Sequence, residues 1–209
     1  MVNTNKAKPV DLRKVYQQIY YLKEGPSVIE QLPERKYVSQ RMITSFHMNW
    51  DGHPEPKDEK WIAFKVVNQI KQITKLEMNY RFKRMPPEMI WYQQKADNKW
   101  IVERMILVPD FISEEIYIRA LEKVQKSLRV DTLPSISFKH EQETLTAMKL
   151  HVGHYKDTSS SLALLEKELQ LQGYQMVLPH REIYLTPAME CYPAHKTKTV
   201  LSVSIQPIS

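Results

Sequence analysis

The sequence predicts an α+β fold made of two similar halves. Segments with strand and helix periodicity alternate along the chain, and the same order of elements occurs twice. In each half a predicted strand ends at a glycine, Gly52 or Gly153, and a helix follows. Later in each half a glutamate stands among aromatic residues, at Glu88 and at Glu182. If a pseudo-twofold axis relates the halves, both glutamates face one central cavity.

In the first half, residues 1–9 are predicted to be disordered. Asp11 can cap a short helix that has its apolar residues on one face and ends at Gly25-Pro26. A long strand is predicted at 37–48, and Trp50 lies where it breaks. A helix at 59–75 follows from the helical spacing of Ile62, Val66, Ile70 and Ile73. The remaining predicted strands of this half are 77–84, 88–93 and 100–108.

The second half repeats this order of elements. Ser113 is a suitable N-cap for a helix with Glu114 and Glu115 in its first turn, where acidic residues favour the helix dipole. A second helix is predicted at 159–172, and Gly173 is well placed to end it. Strands are predicted at 135–140, 145–152, 174–178, 181–186 and 198–206. We therefore divide the chain into an N-terminal extension with a short helix, 1–32, and a domain, 33–209, with repeats of about 33–110 and 111–209.

Composition is that of an ordinary globular protein. It argues against a nucleic-acid-binding protein and against a phosphate-binding site built on a glycine-rich loop. The 209 residues are 42% hydrophobic and 26% charged, and the net charge is +6. The basic residues are mixed with acidic ones and form no nucleic-acid signature, so we expect no nucleic-acid partner. Four glycines leave no glycine-rich phosphate loop.

Location is inferred from three features of the sequence. The lone cysteine, Cys191, fits a reducing compartment. Met1 to Lys8 is polar and unlike a signal peptide. No apolar run approaches the roughly 20 residues of a membrane-spanning helix. These features predict a cytoplasmic protein with no membrane partner. We also expect a monomer or a weak homodimer.

The most informative segment is His180-Arg181-Glu182-Ile183-Tyr184-Leu185. Its alternation places Glu182 and Tyr184 on one face of a strand and Ile183 and Leu185 on the other. An acid and an aromatic residue on one face suit a pocket for a flat, polarised or cationic molecule. A half-buried strand with a solvated polar face is the alternative interpretation of these six residues.

Six segments, in order along the chain, resemble the GyrI-like small-molecule-binding family. They are Pro87-Glu88-Met89-Ile90-Trp91-Tyr92, Asn98-Lys99-Trp100, Met105-Ile106-Leu107-Val108-Pro109-Asp110-Phe111-Ile112, His151-Val152-Gly153-His154-Tyr155, His180-Arg181-Glu182-Ile183-Tyr184-Leu185 and Lys198-Thr199-Val200-Leu201. The stand-alone branch of this family, which the chain resembles most, is similar to hydrolases that open the cyclopropane ring of DNA-alkylating antibiotics.

This resemblance implies a fold, a site and an activity. The fold is a duplicated strand-helix-strand-strand unit that forms a curved antiparallel sheet, with helices on one side and a ligand cleft between the halves. The cleft glutamate of the family falls on Glu182. A Met stands at position 89 where many members have Gly, which is expected to narrow or reshape the cleft.

Aromatic residues are the expected walls of this cleft. Stacked aromatic pairs contribute about 0.5–1.5 kcal/mol beyond burial, and a cation over a ring adds about 0.5–2 kcal/mol. We expect an aromatic small molecule as the ligand, and we expect neither a metal nor a cofactor. The predicted ligand-binding residues are Trp50, Glu88, Trp91, Tyr92, Trp100, Met105 and His180.

The predicted catalytic residues are Glu182, Tyr155 and Tyr184. Glu182 either meets a positive charge on a ligand or deprotonates a water that attacks the strained ring, which is worth about 10²–10⁴ in rate. Hydrophobic walls are expected to raise its pKa. Tyr155, Tyr184 or the indole N–H of Trp91 would stabilise the oxyanion formed on ring opening. Three functions therefore stay open: a cyclopropane-opening hydrolase, a non-catalytic binder or sensor of aromatic drugs, and an inhibitor of a protein partner.

Overall fold

A computed structural model of the chain describes residues 8–45, 61–95, 99–133, 135–188 and 191–208. The strands are β1 (Val28–Leu32), β2 (Arg35–Ser45), β3 (Glu88–Gln94), β4 (Lys99–Val108), β5 (Ile136–Glu141), β6 (Thr144–Val152), β7 (Tyr174–Tyr184) and β8 (Lys198–Pro207). The helices are α1 (Gln17–Tyr20), α2 (Ile62–Glu77), α3 (Glu114–Leu128) and α4 (Thr158–Leu171). Two short 3-10 turns lie at Leu12–Lys14 and Ala194–Lys196.

The strands form one eight-stranded antiparallel sheet in the order β1-β6-β8-β7-β3-β4-β2-β5. This arrangement confirms the predicted α+β class. Two strand-helix-strand-strand units are visible, β2-α2-β3-β4 and β6-α4-β7-β8. Their strands follow the equivalent orders β2-β4-β3 and β6-β8-β7, and β3 pairs with β7 at the centre. The duplication therefore brings the third element of each unit, which carries the glutamate, to the middle of the sheet.

The strand pairs at the two ends of the sheet, β1–β6 and β2–β5, form one bent two-stranded ribbon. In the β1–β6 pair Leu32 lies opposite Thr144, and in the β2–β5 pair Arg35 lies opposite Glu141. Both pairs follow the same antiparallel register. The chain thus runs from β1 to β2 and from β5 to β6 as a continuous two-stranded ribbon. Because this ribbon links the two ends of the sheet, it curves the sheet as a whole.

Helices α2, α3 and α4 cover one face of the sheet, which we call the helix face. Helices α2 and α3 pack on β2, β4 and β5, and their core includes Val38, Val66, Ile70, Ile106 and Val124. Helix α4 packs on β6 and β8 through a separate core built from Ala147, Leu165, Leu169, Leu201 and Val203. Two helical layers with separate cores leave a stretch of the helix face between them.

The first segment of the chain covers the opposite face, which we call the N-terminal face. Leu12, Tyr16, Ile19 and Tyr20 are buried there against strand residues that include Tyr37, Met105, Met148, Ile183 and Val200. The predicted extension is therefore part of the core. It also supplies β1, a strand that the sequence analysis missed, at one end of the sheet.

Local signals explain where the helices begin and end. The Oγ of Ser113 accepts a hydrogen bond from the Ile116 N–H at 3.3 Å, as an N-cap does. Asp11 likewise accepts from the Arg13 N–H at 3.2 Å, although the predicted short helix is only a 3-10 turn followed by α1. Gly173 follows α4 with φ of +80°, a left-handed conformation that favours glycine.

Two strand predictions differ from the structure. The segment 77–84 forms only an isolated parallel bridge between Val10 and Phe82, because the N-terminal segment and not a sheet strand lies beside it. The strands predicted at 174–178 and 181–186 are one strand, β7, whose register with β8 shifts between Val177 and Arg181. The predicted strand at 37–48 is present as far as Ser45, and its end, with Gly52, lies outside the described residues.

Candidate functional site

A cleft opens on the helix face between α4 and the central strands. Its volume is about 260 Å³. Strands β3 and β4 supply the two tryptophans, β7 supplies an acid and a histidine, and α4 with the loop before it supplies the facing wall. The lining residues are Trp91, Trp100, Lys156, Thr158, Ser159, Leu162, His180 and Glu182. The two halves of the chain therefore share this cleft, as the predicted duplication requires.

Glu182 lies at the base of the cleft with its side chain 6% exposed. Its Oε2 accepts hydrogen bonds from the Tyr184 hydroxyl at 2.6 Å and from the Trp91 indole N–H at 3.1 Å. Its Oε1 accepts a hydrogen bond from the Thr158 hydroxyl at 2.7 Å. The Nε2 of His180 lies 3.7 Å from Oε1, beyond hydrogen-bond distance. Residues from β3, α4 and β7 thus hold one carboxylate.

The polar groups around Glu182 decide its ionisation. Burial by itself raises the pKa of this carboxyl, but the interactions with His180, Tyr184 and Thr158 outweigh it and lower the pKa below the ordinary value. The prediction of a raised pKa is therefore wrong, because the walls beside the carboxylate carry hydrogen-bond donors as well as apolar surface. Glu182 is an ionised carboxylate at neutral pH.

Tyr184 and Trp91 both direct their donors at Glu182. Burial, followed by the charge of Glu182, raises the pKa of Tyr184 well above its ordinary value, so Tyr184 is a neutral phenol. Because both hydrogens are committed to the carboxylate, neither group points a donor at a ligand oxyanion in this arrangement. Their place in the structure is to orient Glu182.

The aromatic wall is built from Trp91 and Trp100. Their rings meet edge to face with centroids 5.8 Å apart, a favourable geometry for an aromatic pair. Both are partly buried against a small core that contains Met42, Met89 and Val102. Met89 is fully buried in this core, so it supports the wall from below.

Tyr155, a predicted catalytic residue, is not among the residues that line the cleft. Tyr155 is buried in the same small core as Tyr184 and stacks on His154 with ring centroids 4.5 Å apart. The Nζ of Lys156 lies 5.7 Å from the centre of the Tyr155 ring, and Lys156 itself lines the cleft. Lys156, Thr158 and Leu162 also line the cleft and were not predicted from the sequence. The helical pattern at 159–172 gave no signal that the start of this helix faces Glu182.

Three predicted ligand-binding residues do not line the cleft. In the β3–β7 pair Met89 lies opposite Glu182, while Glu88 lies opposite Ile183. Glu88 and Met105 therefore face the N-terminal side of the sheet, where Glu88 is fully buried and accepts from Arg181 at 2.9 Å and from Tyr20 at 3.0 Å.

Tyr92 also belongs to the N-terminal face. It sits at a bulge in β3, and its hydroxyl donates to Glu103, which shares that face with Met105. Placing these residues in the cleft is wrong because alternate strand residues point to opposite faces. Trp50, the remaining predicted residue, lies outside the described residues.

Within the described ranges, no group of three or more His, Cys, Asp or Glu side chains is arranged to hold a metal ion. His151, one of the histidines in the family-like segments, lies 2.8 Å from the Ser161 hydroxyl and 3.1 Å from the His154 carbonyl oxygen. None of the described helices is long and apolar enough to cross a membrane.

Comparison with solved structures defines the fold. A hydrolase from Listeria innocua has a TM-score of 0.76 at 18% identity, covering 94% of this chain and 100% of that chain. An uncharacterized conserved protein from Listeria innocua has a TM-score of 0.77 at 18% identity, with the same coverage. The C-terminal domain of EcmrR has a TM-score of 0.52 at 13% identity, covering 87% of this chain and 98% of that domain.

At these identities the likeness shows the fold, which is consistent with the GyrI-like fold that the sequence resembles. No protein-family model and no curated protein matches the chain.

Proposed function

We propose that this protein is a hydrolase that binds aromatic small molecules and opens the cyclopropane ring of DNA-alkylating antibiotics, which protects the cell. The observation that carries the proposal is the buried, ionised carboxylate of Glu182 at the base of a tryptophan-walled cleft. The Listeria innocua hydrolase with the same fold is in keeping with this activity.

The size of the cleft limits what enters it. Pockets for drug-sized ligands usually measure about 300–1,000 Å³, and the cleft measures about 260 Å³. The reactive end of an aromatic antibiotic fits this space, with its flat ring system against Trp91 and Trp100. The rest of such a molecule stays outside the cleft.

The free side of Glu182 is suited to hold the attacking water. Oε1 has one hydrogen bond, from Thr158, and the Nε2 of His180 is 3.7 Å away. A water that donates to Oε1 from the cleft would occupy this open side of the carboxylate. In the proposed step the water oxygen bonds to the ring CH₂ while its proton moves to Oε1. The cyclopropane C–C bond breaks, and its electron pair moves through the conjugated system to the carbonyl oxygen, which becomes a phenolate.

Lys156 is placed to stabilise the phenolate. It lines the same cleft, and its ammonium group carries a positive charge in a partly buried site. A fixed charge where negative charge develops lowers the barrier. Lys156 can also give a proton to the phenolate, which completes the product phenol, and the proton held by Glu182 then passes through water to Lys156, which restores both groups.

The positive charge of Lys156 also favours hydrolysis over the second candidate function, the non-catalytic binding of aromatic, often cationic, drugs. Glu182 beside tryptophans would suit a cation. However, Lys156 in the same cleft repels one, and the hydrogen bonds from Thr158, Trp91 and Tyr184 already stabilise the carboxylate. The proposed ligand is therefore a neutral electrophile.

The proposal is tested by incubating the purified chain with a cyclopropane-bearing antibiotic of this class and measuring the ring-opened product by mass spectrometry. Glu182→Gln removes the base, and we expect a rate about 10²–10⁴ lower. The control is Glu122→Gln, the same change at an exposed position on α3, which should keep full activity.

Quenching of tryptophan fluorescence measures binding in the same samples. Binding without product in the parent protein would favour the non-catalytic function. Equal turnover by the parent and Glu182→Gln would show that this carboxylate is not the base.

A further inference from the structure

A second groove lies between α2 and the chain segment that follows this helix. Its volume is about 400 Å³, which falls within the usual range for small-molecule pockets. One wall is a single face of α2, because its four lining residues are spaced three or four apart along the helix. The polar residues that line the groove are Asn68, Lys71, Gln72, Lys75 and Arg81. The proposed hydrolysis uses none of them.

The wall opposite α2 is fixed by backbone hydrogen bonds. The Val10 N–H donates to the Arg81 carbonyl oxygen at 2.8 Å, and the Lys83 N–H donates to the Val10 carbonyl oxygen at 2.8 Å. Phe82, between them, is 2% exposed and belongs to the core under α2 and α3. The groove is therefore shaped by the fold and does not depend on the position of one long side chain.

The charged residues that line this groove are all cationic. Lys71 and Arg81 are half-buried and Lys75 is exposed, and no acid lies among the described lining residues. The charged nitrogens of these three residues make no hydrogen bond or ion pair within the described ranges. Apart from Arg81 Nε, none of these nitrogens is enclosed by protein. A ligand can therefore reach cationic donors on both walls.

The acids that flank the groove along the chain are committed to other cations. Glu77, near the end of α2, accepts from Arg119 of α3 at 3.0 Å. Asp11, in the N-terminal segment, is paired with Arg13 at 2.6 Å and with Lys83 at 3.1 Å. The groove thus keeps its positive charge although acidic residues are close to it in sequence.

This concentration of like charge is unfavourable for the protein alone. Burial, followed by the nearby charge of Arg84, lowers the pKa of Lys71 below its ordinary value. A cleft lined by charges of one sign attracts a ligand of the opposite sign. An anion in the groove would supply the counter-charge that the described residues do not provide.

We infer that this groove binds a small polyanion, a molecule that carries linked phosphate groups. Phosphate oxygens accept charge-assisted hydrogen bonds from ammonium and guanidinium groups, and several linked phosphates can meet all three cations at once. The amides of Asn68 and Gln72 supply neutral donors beside them. From Asn68 to Lys75 the helix rises only about 10 Å, so the groove suits a small molecule better than an extended nucleic acid.

The test uses the full chain and three probes at constant ionic strength: sodium tripolyphosphate, sodium pyrophosphate and sodium orthophosphate. Calorimetric titration gives Kd for each probe. We expect tripolyphosphate to bind about tenfold more tightly than orthophosphate, because more of its oxygens meet cationic donors. Binding should also weaken as sodium chloride is added, since salt screens exposed charges.

Variants assign this binding to the groove. Lys75→Gln and Arg81→Gln each remove one charge from opposite walls, and we expect Kd for tripolyphosphate to weaken about tenfold in each. Lys75 is exposed, so Lys75→Gln tests the site even if Arg81→Gln does not fold. Lys167→Gln, the same change at an exposed position on α4, is the matched control and should leave Kd unchanged.

Three results would overturn the inference. Equal Kd values for tripolyphosphate and orthophosphate would mean that the groove does not recognise linked phosphates. The same Kd in the parent and both groove variants, or an equal loss in Lys167→Gln, would mean that net charge alone attracts the probe. A single-stranded oligonucleotide that binds through Lys75 and Arg81 when tripolyphosphate does not would assign the groove to nucleic acid. Glu182→Gln should bind tripolyphosphate normally, so failure of the proposed hydrolysis and failure of this site are separate outcomes.

Discussion

Two glutamates with similar sequence surroundings lie on opposite faces of the sheet in this protein. Glu182 lies in the cleft on the helix face, and Glu88 lies in a buried ion pair with Arg181 on the N-terminal face. The duplication suggested that they were equivalent, but the residue opposite Glu182 is Met89. A shift of one residue moves a side chain to the other face of a sheet. The alternation of apolar and polar residues along each strand can be predicted from the sequence, whereas the register between two strands cannot.

The pH dependence of turnover follows from the surroundings of Glu182. Because its pKa is lower than its ordinary value of 4.5, the carboxylate stays ionised as the pH falls from neutral. We expect the activity to be constant down to about pH 5 and to be lost only as Glu182 becomes protonated below its ordinary pKa. The measurement is kcat/KM as a function of pH.

Thr158→Val tests whether that acid limb belongs to Glu182. Valine removes the hydroxyl that donates to Oε1 and keeps the shape, so the ionised form loses stabilisation and its pKa rises. The acid limb should move to higher pH, whereas Thr186→Val, away from the cleft, should leave it in place. An acid limb near pH 6 that ignores Thr158→Val would assign the titration to another group.

Helix α4 forms one wall of the cleft, and its position depends on how the helix ends. Its first turn supplies Thr158 and Ser159, and its apolar residues Leu165 and Leu169 fix it on β6 and β8. Gly173 then reverses the chain, and its carbonyl accepts from the Ile208 N–H at 2.9 Å. The helical spacing and the glycine made this element predictable. Its contact with Glu182 was not, because that contact joins residues distant in the chain.

Gly173→Ala measures the cost of this chain reversal. A Cβ at Gly173 meets no atom within 4 Å, so any loss of stability comes from the left-handed φ of +80° alone. We expect a loss of about 1–2 kcal/mol in the free energy of unfolding, measured in urea. Gly173→Asn should lose less, since asparagine tolerates this conformation. Equal losses for the two variants would contradict the conformational explanation.

At the scale of the whole molecule, the N-terminal segment completes the fold. It fills the N-terminal face with four buried apolar residues, and the Tyr20 hydroxyl reaches Glu88 at 3.0 Å. It then adds β1 and continues into the ribbon that links the two ends of the sheet. The segment predicted to be an extension is thus a structural part of both repeats.

Ile19→Ala tests this role of the segment. Ile19 is 1% exposed, and truncation of a buried isoleucine costs about 2–5 kcal/mol. Val15, four residues earlier and 58% exposed, provides the control, because Val15→Ala should change the free energy of unfolding by less than about 0.5 kcal/mol. Denaturant unfolding of both variants gives the comparison. A small effect of Ile19→Ala would mean that the segment is only loosely attached.

The α+β class, the three long helices and most strands follow from the sequence, and so does the prediction that Glu182, Trp91 and Trp100 line one cleft. These features depend on periodicity and on residues close together in the chain, which are local properties. Only the folded chain shows that Glu88, Tyr92 and Met105 face away from the cleft and that Lys156 and Thr158 line it. The fold also decides the ionisation of Glu182. The reason is physical: strand register and the donors around a buried carboxylate depend on contacts between distant residues.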